Sequence, residues 1–243
     1  MRAVITAGGI VAGEFAAEIG TTIKALAPFA GRVLLDVGLD ACAGAGITDV
    51  GVVGGPEVRS HLRGAGVRVI EAAADGGTNV LRALDAWPGE RFVYLSSDLP
   101  FLGAEGLRDF IARSTPFAVT MAVASEPDYR ARFPGAAPHG ITLRGERIVN
   151  GSAFVVAPEA VPPARALAVR LFDARKNLFA LARLLGPALC ARFVMHRLAV
   201  ADIEAFGTRA LRLPVAAVRN CDPGLCYDVD TVEDYRTACT LRA

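Results

Sequence analysis

What this chain lacks narrows its function before anything it contains. No Cys-x-x-Cys pair occurs; Cys42, Cys190, Cys221, Cys226 and Cys239 stand apart. An odd count in a chain of 243 residues points to reduced thiols packed as small apolar groups, not to a disulfide framework. The histidines, His61, His139 and His196, are scattered and give no metal-ligand spacing, which argues against a zinc site. Neither sign of charge is in excess: 26 Lys and Arg face 25 Asp and Glu, so the basic stripe expected of a nucleic-acid binder is missing. Hydrophobic residues reach 53%, yet no apolar run approaches the roughly 18 residues of a membrane span. The first residues, MRAVITAGGIVAGEF, carry an Arg and a short apolar stretch but no long apolar core or Ala-x-Ala cleavage site. They read as the first strand of a cytoplasmic enzyme. There is no repeat, low-complexity segment or linker, so one domain is expected over residues 1–243.

What is present alternates between strand and helix. The strands are RAVIT, ITDVGVVGG (47–55), VRVIEA (67–72), RFVYLSSD (91–98) and FAVTMAVAS (117–125). Between them, GRVLLDVGLDACAGAG, NVLRALDAW (79–87) and AEGLRDFIARS (104–114) have helical spacing. Such alternation predicts an α/β fold, a mostly parallel sheet covered by helices. The pattern changes after Glu126. A turn- and arginine-rich stretch follows, read as a loop with a short hairpin, and SAFVVAP (152–158) returns as a strand. Residues 164–212 hold helices in series, broken at Gly186-Pro187 and near Gly207. LPVAAVR (213–219) and GLCYDVD (224–230) are late strands, and TVEDYRTACTL closes the chain as a helix. Thr231 is its expected N-cap, with Asp234 three residues on.

Four groups of residues could carry chemistry. The first strand runs into Ala7-Gly8-Gly9, where backbone N–H groups can approach phosphate oxygens. Lys24 follows and can place a compact positive charge on the same phosphates; the plainer reading is a solvated lysine. In Gly76-Gly77-Thr78-Asn79, either Thr78 or Asn79 caps the following helix, or the glycine backbone and Asn79 meet a nucleobase or sugar. Ser97 and Asp98 end the RFVYLSSD strand, and open α/β sheets bind ligands at the carboxyl ends of their strands. Magnesium on a triphosphate needs only one or two protein carboxylates. Asp98 and Asp230 of the DVD at 228–230 could reach one pocket from opposite sides, or each could simply cap a helix. In the helical stretch, Arg175 and Lys176 could bind an acceptor phosphate. Leu178, Leu181, Leu185, Phe193 and Leu198 are open to use as core, as contact between two copies in a homodimer, or as a site for an apolar acceptor tail.

In this order AVITAGG, TIKALAPFAGR, GITDVGVVGG, DGGTNVLRAL, YLSSDLPFL and GLCYDVDTVEDY resemble the nucleotidyltransferases related to molybdenum-cofactor guanylyltransferase. The resemblance covers about residues 1–125 well and 213–240 moderately. It implies a three-layer, Rossmann-like fold of the GT-A type with a helical insert, with residues 1–125 binding nucleotide and 126–243 binding acceptor. It further implies a nucleoside triphosphate, GTP or CTP, on Gly8-Gly9, with Lys24 on its phosphates and Mg²⁺ on Asp98 and Asp230. Ser152, next to the Asn150-Gly151 pair, falls on the acceptor side. The first loop departs from the family pattern. It has no Arg before Lys24 and carries Glu14 and Glu18, two charges costly beside a triphosphate unless they face solvent. The implied reaction is transfer of a nucleoside monophosphate to a phosphorylated small molecule with release of pyrophosphate. The rivals are a sugar-nucleotide glycosyltransferase and a non-catalytic nucleotide-binding protein.

Overall fold

The structure, a computed structural model, describes residues 1–174 and 177–242; side chains of residues 173, 178, 179 and 181 are outside the description. The first half comprises β1 (Arg2–Thr6), α1 (Gly13–Ile19), β2 (Pro28–Phe29), β3 (Arg32–Val33), α2 (Leu34–Gly44), β4 (Val50–Gly54) and α3 (Pro56–His61). It continues through β5 (Arg68–Glu71), α4 (Gly76–Leu84), β6 (Phe92–Ser96), α5 (Ala104–Arg113) and β7 (Val119–Ser125). The second half holds α6 (Glu126–Arg132), β8 (Gly140–Leu143), β9 (Glu146–Val156), α7 (Val161–Ala174) and α8 (Leu178–Leu185). Last come α9 (Pro187–Val194), α10 (Val200–Leu211), β10 (Val215–Val218) and α11 (Val232–Arg242).

One eight-stranded sheet runs β10-β7-β9-β6-β1-β4-β5, with β8 added on β9. β1 is parallel to β4 and β6, β5 to β4, and β10 to β7. β9 is antiparallel to both β6 and β7 and separates them. Side chains alternate across the sheet, so each strand feeds two cores. Ala3 and Ile5 of β1 pack with Leu34 and Leu35 of α2 and with Leu107 and Phe110 of α5. Val4, between them, packs on the other face with Ala83 and Leu84 of α4. The result is three layers with the strand ends of β1 and β6 level with each other, Thr6 beside Ser96.

Four sequence expectations differ from the fold. Residues 126–132 form α6, not loop: Ser125 caps it, its hydroxyl accepting from Asp128 N–H at 3.1 Å. The strand expected from Ser152 begins at Glu146, because its first half pairs with β8 in the hairpin. The series of helices does break at Gly186-Pro187, but α10 runs through Gly207. One glycine costs about 1 kcal/mol in a helix, which the packing of its apolar face offsets. GLCYDVD is no strand; residues 223–225 make a 3₁₀ turn and the extended residues beyond it join no sheet. No helix among the described residues is long and apolar enough to cross a membrane.

Candidate active site

After β1 the chain leaves through Gly8 and Gly9, makes α1, and returns antiparallel to itself. Val11 N–H donates to the Thr22 carbonyl at 2.9 Å, and Lys24 N–H to the Gly9 carbonyl at 3.0 Å. This return is what sets Lys24 beside the glycines. Among the described residues no hydrogen bond uses the N–H of Gly8 or Gly9. Both line a pocket of about 350 Å³ together with Thr6, Lys24, Gly76, Asn79, Tyr94, Ser97 and Asp98.

Beyond Lys24, burial alternates along the segment Tyr227–Asp230, and that alternation decides what each residue faces. Tyr227 and Val229 are buried in the core, with the Tyr227 hydroxyl donating to the Asp234 carbonyl at 2.9 Å. Asp228 and Asp230 therefore share the opposite side. Val229 N–H donates to the Asp98 carbonyl at 3.1 Å, tying this segment to the end of β6. Thr231 caps α11 as expected: Asp234 N–H donates to its hydroxyl, and Thr231 N–H donates back to Asp234 Oδ2 at 2.8 Å. Gly151 permits the fit. A Cβ there would lie 2.6 Å from the Leu225 carbonyl oxygen, so any side chain would push the acidic segment away.

The charges meet at Lys24. Its ammonium contacts Asp98 Oδ2 and lies 3.2 Å from Asp230 Oδ1. Burial opposes its charge, but the two carboxylates outweigh that, and its pKa is raised. Asp228 Oδ2 accepts from the Ser152 hydroxyl at 2.8 Å. Burial, then the neighbouring Asp98 charge, push the Asp228 pKa up to about 7, against the Ser152 hydrogen bond and Lys24. Asp98 Oδ1 and Asp228 Oδ1 are both buried with no hydrogen-bond partner among the described residues. Leaving such an oxygen unpaired costs about 1–3 kcal/mol or more.

The sequence profile of the MobA-like NTP transferase domain matches residues 3–212. This chain belongs to that family. A hypothetical transferase from Thermus thermophilus is 28% identical with a TM-score of 0.84, over 96% of this chain and 99% of that one. The 2-C-methyl-D-erythritol 4-phosphate cytidylyltransferase of the same organism shares the fold, at TM-score 0.57 and 18% identity over 99% and 98% of the two chains. So does a Mycobacterium tuberculosis protein in complex with manganese, at TM-score 0.53 and 18% identity over 98% and 97%. Comparison with curated protein sequences finds no match.

Gly8, Gly9, Lys24, Gly76, Asn79, Ser97 and Asp98 all line the pocket. Ala7 does not; it is fully buried and its N–H donates to the Val53 carbonyl. Gly77 packs on Phe172 instead, and Thr78 N–H donates to the side chain of Asp75, which is the true cap of α4. Neither Thr78 nor Asn79 caps that helix. Both ends of the Asn79 amide hold the Ala73 backbone, at 2.7 and 3.2 Å, and Gly8 lies close against it. Asn79 thus fixes the loop before α4 and forms pocket wall. Arg175 and Lys176 lie outside the described residues. Leu198 is core, Phe193 is 60% exposed, and Leu185 is half-buried.

Glu14 and Glu18 of the first loop both pair with Arg236 of α11, at 2.8 and 2.6 Å. Arg236 thus offsets one of the two negative charges. Asp228 is the residue that sequence reasoning passed over in favour of Asp230. Its signal was the Asp-x-Asp alternation itself, which puts both carboxylates on one side of an extended segment.

Among the described residues, no three His, Cys, Asp or Glu side chains are grouped closely enough to hold a metal unaided. A hard divalent cation completed by phosphates and water needs fewer. The two orphaned carboxylate oxygens, of Asp98 and Asp228, are the right donors for one.

Proposed function

We propose that this protein is a Mg²⁺-dependent nucleotidyltransferase. It moves a nucleoside monophosphate from a triphosphate, GTP or CTP, to a phosphorylated small-molecule acceptor and releases pyrophosphate. One observation carries the reading. The pocket lined by the Gly8 and Gly9 backbone also holds Lys24 and Asp98, whose buried Oδ1 has no partner, and the unpartnered Asp228 carboxylate lies near enough to feel the charge of Asp98. That set offers cation-binding oxygens, one positive charge and backbone donors at one place, as a triphosphate requires.

Asp98 would hold the cation with one further carboxylate, Asp228 or Asp230, and phosphates and water would complete its shell; a fold relative binds manganese. When bound, a divalent cation supplies charge neutralisation on the phosphoryl oxygens. The remaining roles belong to the chain. Gly8 and Gly9 donate N–H groups to phosphate oxygens, and Lys24 adds a compact charge beside them. Asn79 holds the loop that walls the nucleoside. Ser152 fixes Asp228 from the acceptor half, and Arg175 and Lys176 are acceptor contacts. An oxygen of the acceptor phosphate attacks the α-phosphorus, the bond to the β-phosphate oxygen breaks, and pyrophosphate leaves. That oxygen is already anionic, so no general base is needed. Catalysis is positioning and electrostatics.

The test is a thermal-shift screen of the four common ribonucleoside triphosphates with Mg²⁺ or with EDTA, followed by pyrophosphate release against phosphorylated acceptors. A ligand that binds only the native state raises its apparent stability. One triphosphate should stabilise the protein with metal and little without it. No stabilisation by any of them at millimolar concentration would sink the reading.

A further inference from the structure

A second cavity lies elsewhere on the same sheet. It measures about 610 Å³ and is lined by the end of β7, the start of α6, the start of β9 and the Arg219-Asn220 turn. At its base lies Glu126, a carboxylate only 6% exposed. Arg130 Nε donates to one of its oxygens at 2.8 Å and Arg147 Nε to the other at 2.6 Å. Hydrogen bonds from these two arginines hold the Glu126 carboxyl below the usual range, so it stays ionised. The remaining charged pair is self-contained: Arg219 donates both Nη groups to Glu146, at 2.7 and 2.9 Å.

The cavity therefore keeps one unbalanced positive charge, with two guanidinium groups sharing one carboxylate. Each is gripped only by Nε. The Nη groups of Arg130 and Arg147 make no hydrogen bond among the described residues. Two oriented sets of free N–H donors on a fixed base match the fork that binds carboxylate or phosphate.

Its position relates it to the nucleotide pocket. Tyr94, Phe154 and Met121 stand opposite one another in register on β6, β9 and β7, and Val123 continues that face into the cavity. Glu126 is thus two strand spacings across from Asp98 and a few residues further along, roughly 10–15 Å away. A small acceptor with its reacting phosphate near Asp98 spans that distance.

We propose that Arg130 and Arg147, held by Glu126, bind a second anionic group of the acceptor, a carboxylate or a phosphate remote from the reacting phosphate. The anion site stands on its own geometry; its assignment to the acceptor rests on the nucleotidyl-transfer reading above.

The probes are inorganic phosphate and succinate, titrated into protein labelled with ¹⁵N-arginine. The Nε–H resonances of Arg130 and Arg147 are assigned from Arg130→Lys and Arg147→Lys, which keep the charge that Glu126 needs and so keep the fold. Both resonances should move saturably while that of Arg236 stays still. Movement with phosphate only, or with succinate only, names the group the site prefers. No saturable movement with either overturns the proposal. Hexane-1,6-diol bisphosphate, long enough to bridge both places, should bind at least tenfold tighter than phosphate in the presence of triphosphate and Mg²⁺. Equal affinities would remove the acceptor role. Anion binding without any triphosphate-induced stabilisation would instead keep this site and reject the transferase.

Discussion

Val229 N–H donates to the carbonyl of Asp98 at 3.1 Å, and this one backbone bond holds together the two acidic segments of the site. It places the Asp228 carboxylate near that of Asp98, with one oxygen of each buried. Two like charges there are tolerated because Lys24 lies against Asp98 and because Asp228 resists ionisation. A cation between them removes the conflict.

Asp98→Asn is expected to lower metal-dependent pyrophosphate release by a hundredfold or more, about 2.7 kcal/mol of barrier. The amide keeps the size of the side chain and relieves the repulsion with Asp228, so circular dichroism should show an intact fold. Turnover at the wild-type rate would remove Asp98 from the mechanism.

Lys24→Ala should raise the triphosphate KM or lower kcat at least tenfold, with Mg²⁺ present throughout. A surface lysine with no role would alter stability by only a few tenths of a kcal/mol and leave kinetics untouched. In the metal-free protein the variant leaves Asp98 without its ammonium partner, so its melting temperature should also fall. Unchanged kinetics would assign Lys24 a structural task only.

The metal-free protein in EDTA should lose stability as pH rises from about 4 to about 7. The Asp228 pKa is about 7 in the folded chain against about 3.9 unfolded, so the native state binds the proton more tightly across that window. The stability this contributes is complete below pH 4 and gone above pH 7, with an upper limit of about 4 kcal/mol. Urea denaturation at several pH values measures it. Asp228→Asn should flatten the slope; a variant with the wild-type slope would show that another group titrates.

Arg236→Ala should act on nucleotide binding more than on folding. Its pairs with Glu14 and Glu18 lie at the surface, where solvent screens them and they add little to stability. Freed of Arg236, however, both glutamates add negative charge beside the Gly8-Gly9 loop. The triphosphate KM should rise several-fold, and more at low salt than at high salt. An unchanged KM at low ionic strength would mean that the two charges are too distant to matter.

The alternating strands and helices of the first half were legible because each element is specified locally. Phe92–Leu95 is a continuous apolar run, Ala104–Arg113 has one apolar face, and the glycines after β1 mark the turn. Lys24 and Asp98 were legible as candidates for the same reason: each follows a glycine turn or a strand end where ligands bind in such sheets. The sequence alone thus determined the layered α/β fold, and it marked Gly8, Gly9, Lys24 and Asp98, which the fold gathers around one pocket.

Other features depended on residues distant in the chain, and only the tertiary structure decided them. That β9 enters the middle of the sheet, antiparallel between β6 and β7, follows from pairing with partners on both sides. The GLCYDVD segment has the composition of a strand but joins no sheet; it packs by its buried Tyr227 and Val229 instead. Asp228 differs from Asp230 only in where the fold puts it: one is enclosed with Ser152 and Asp98, the other reaches Lys24 from solvent. Asn79 reads from sequence either as a helix cap or as a ligand contact; in the fold its amide holds the Ala73 backbone while the residue lines the pocket. Burial and electrostatic coupling are properties of neighbours in space, and no local pattern encodes them.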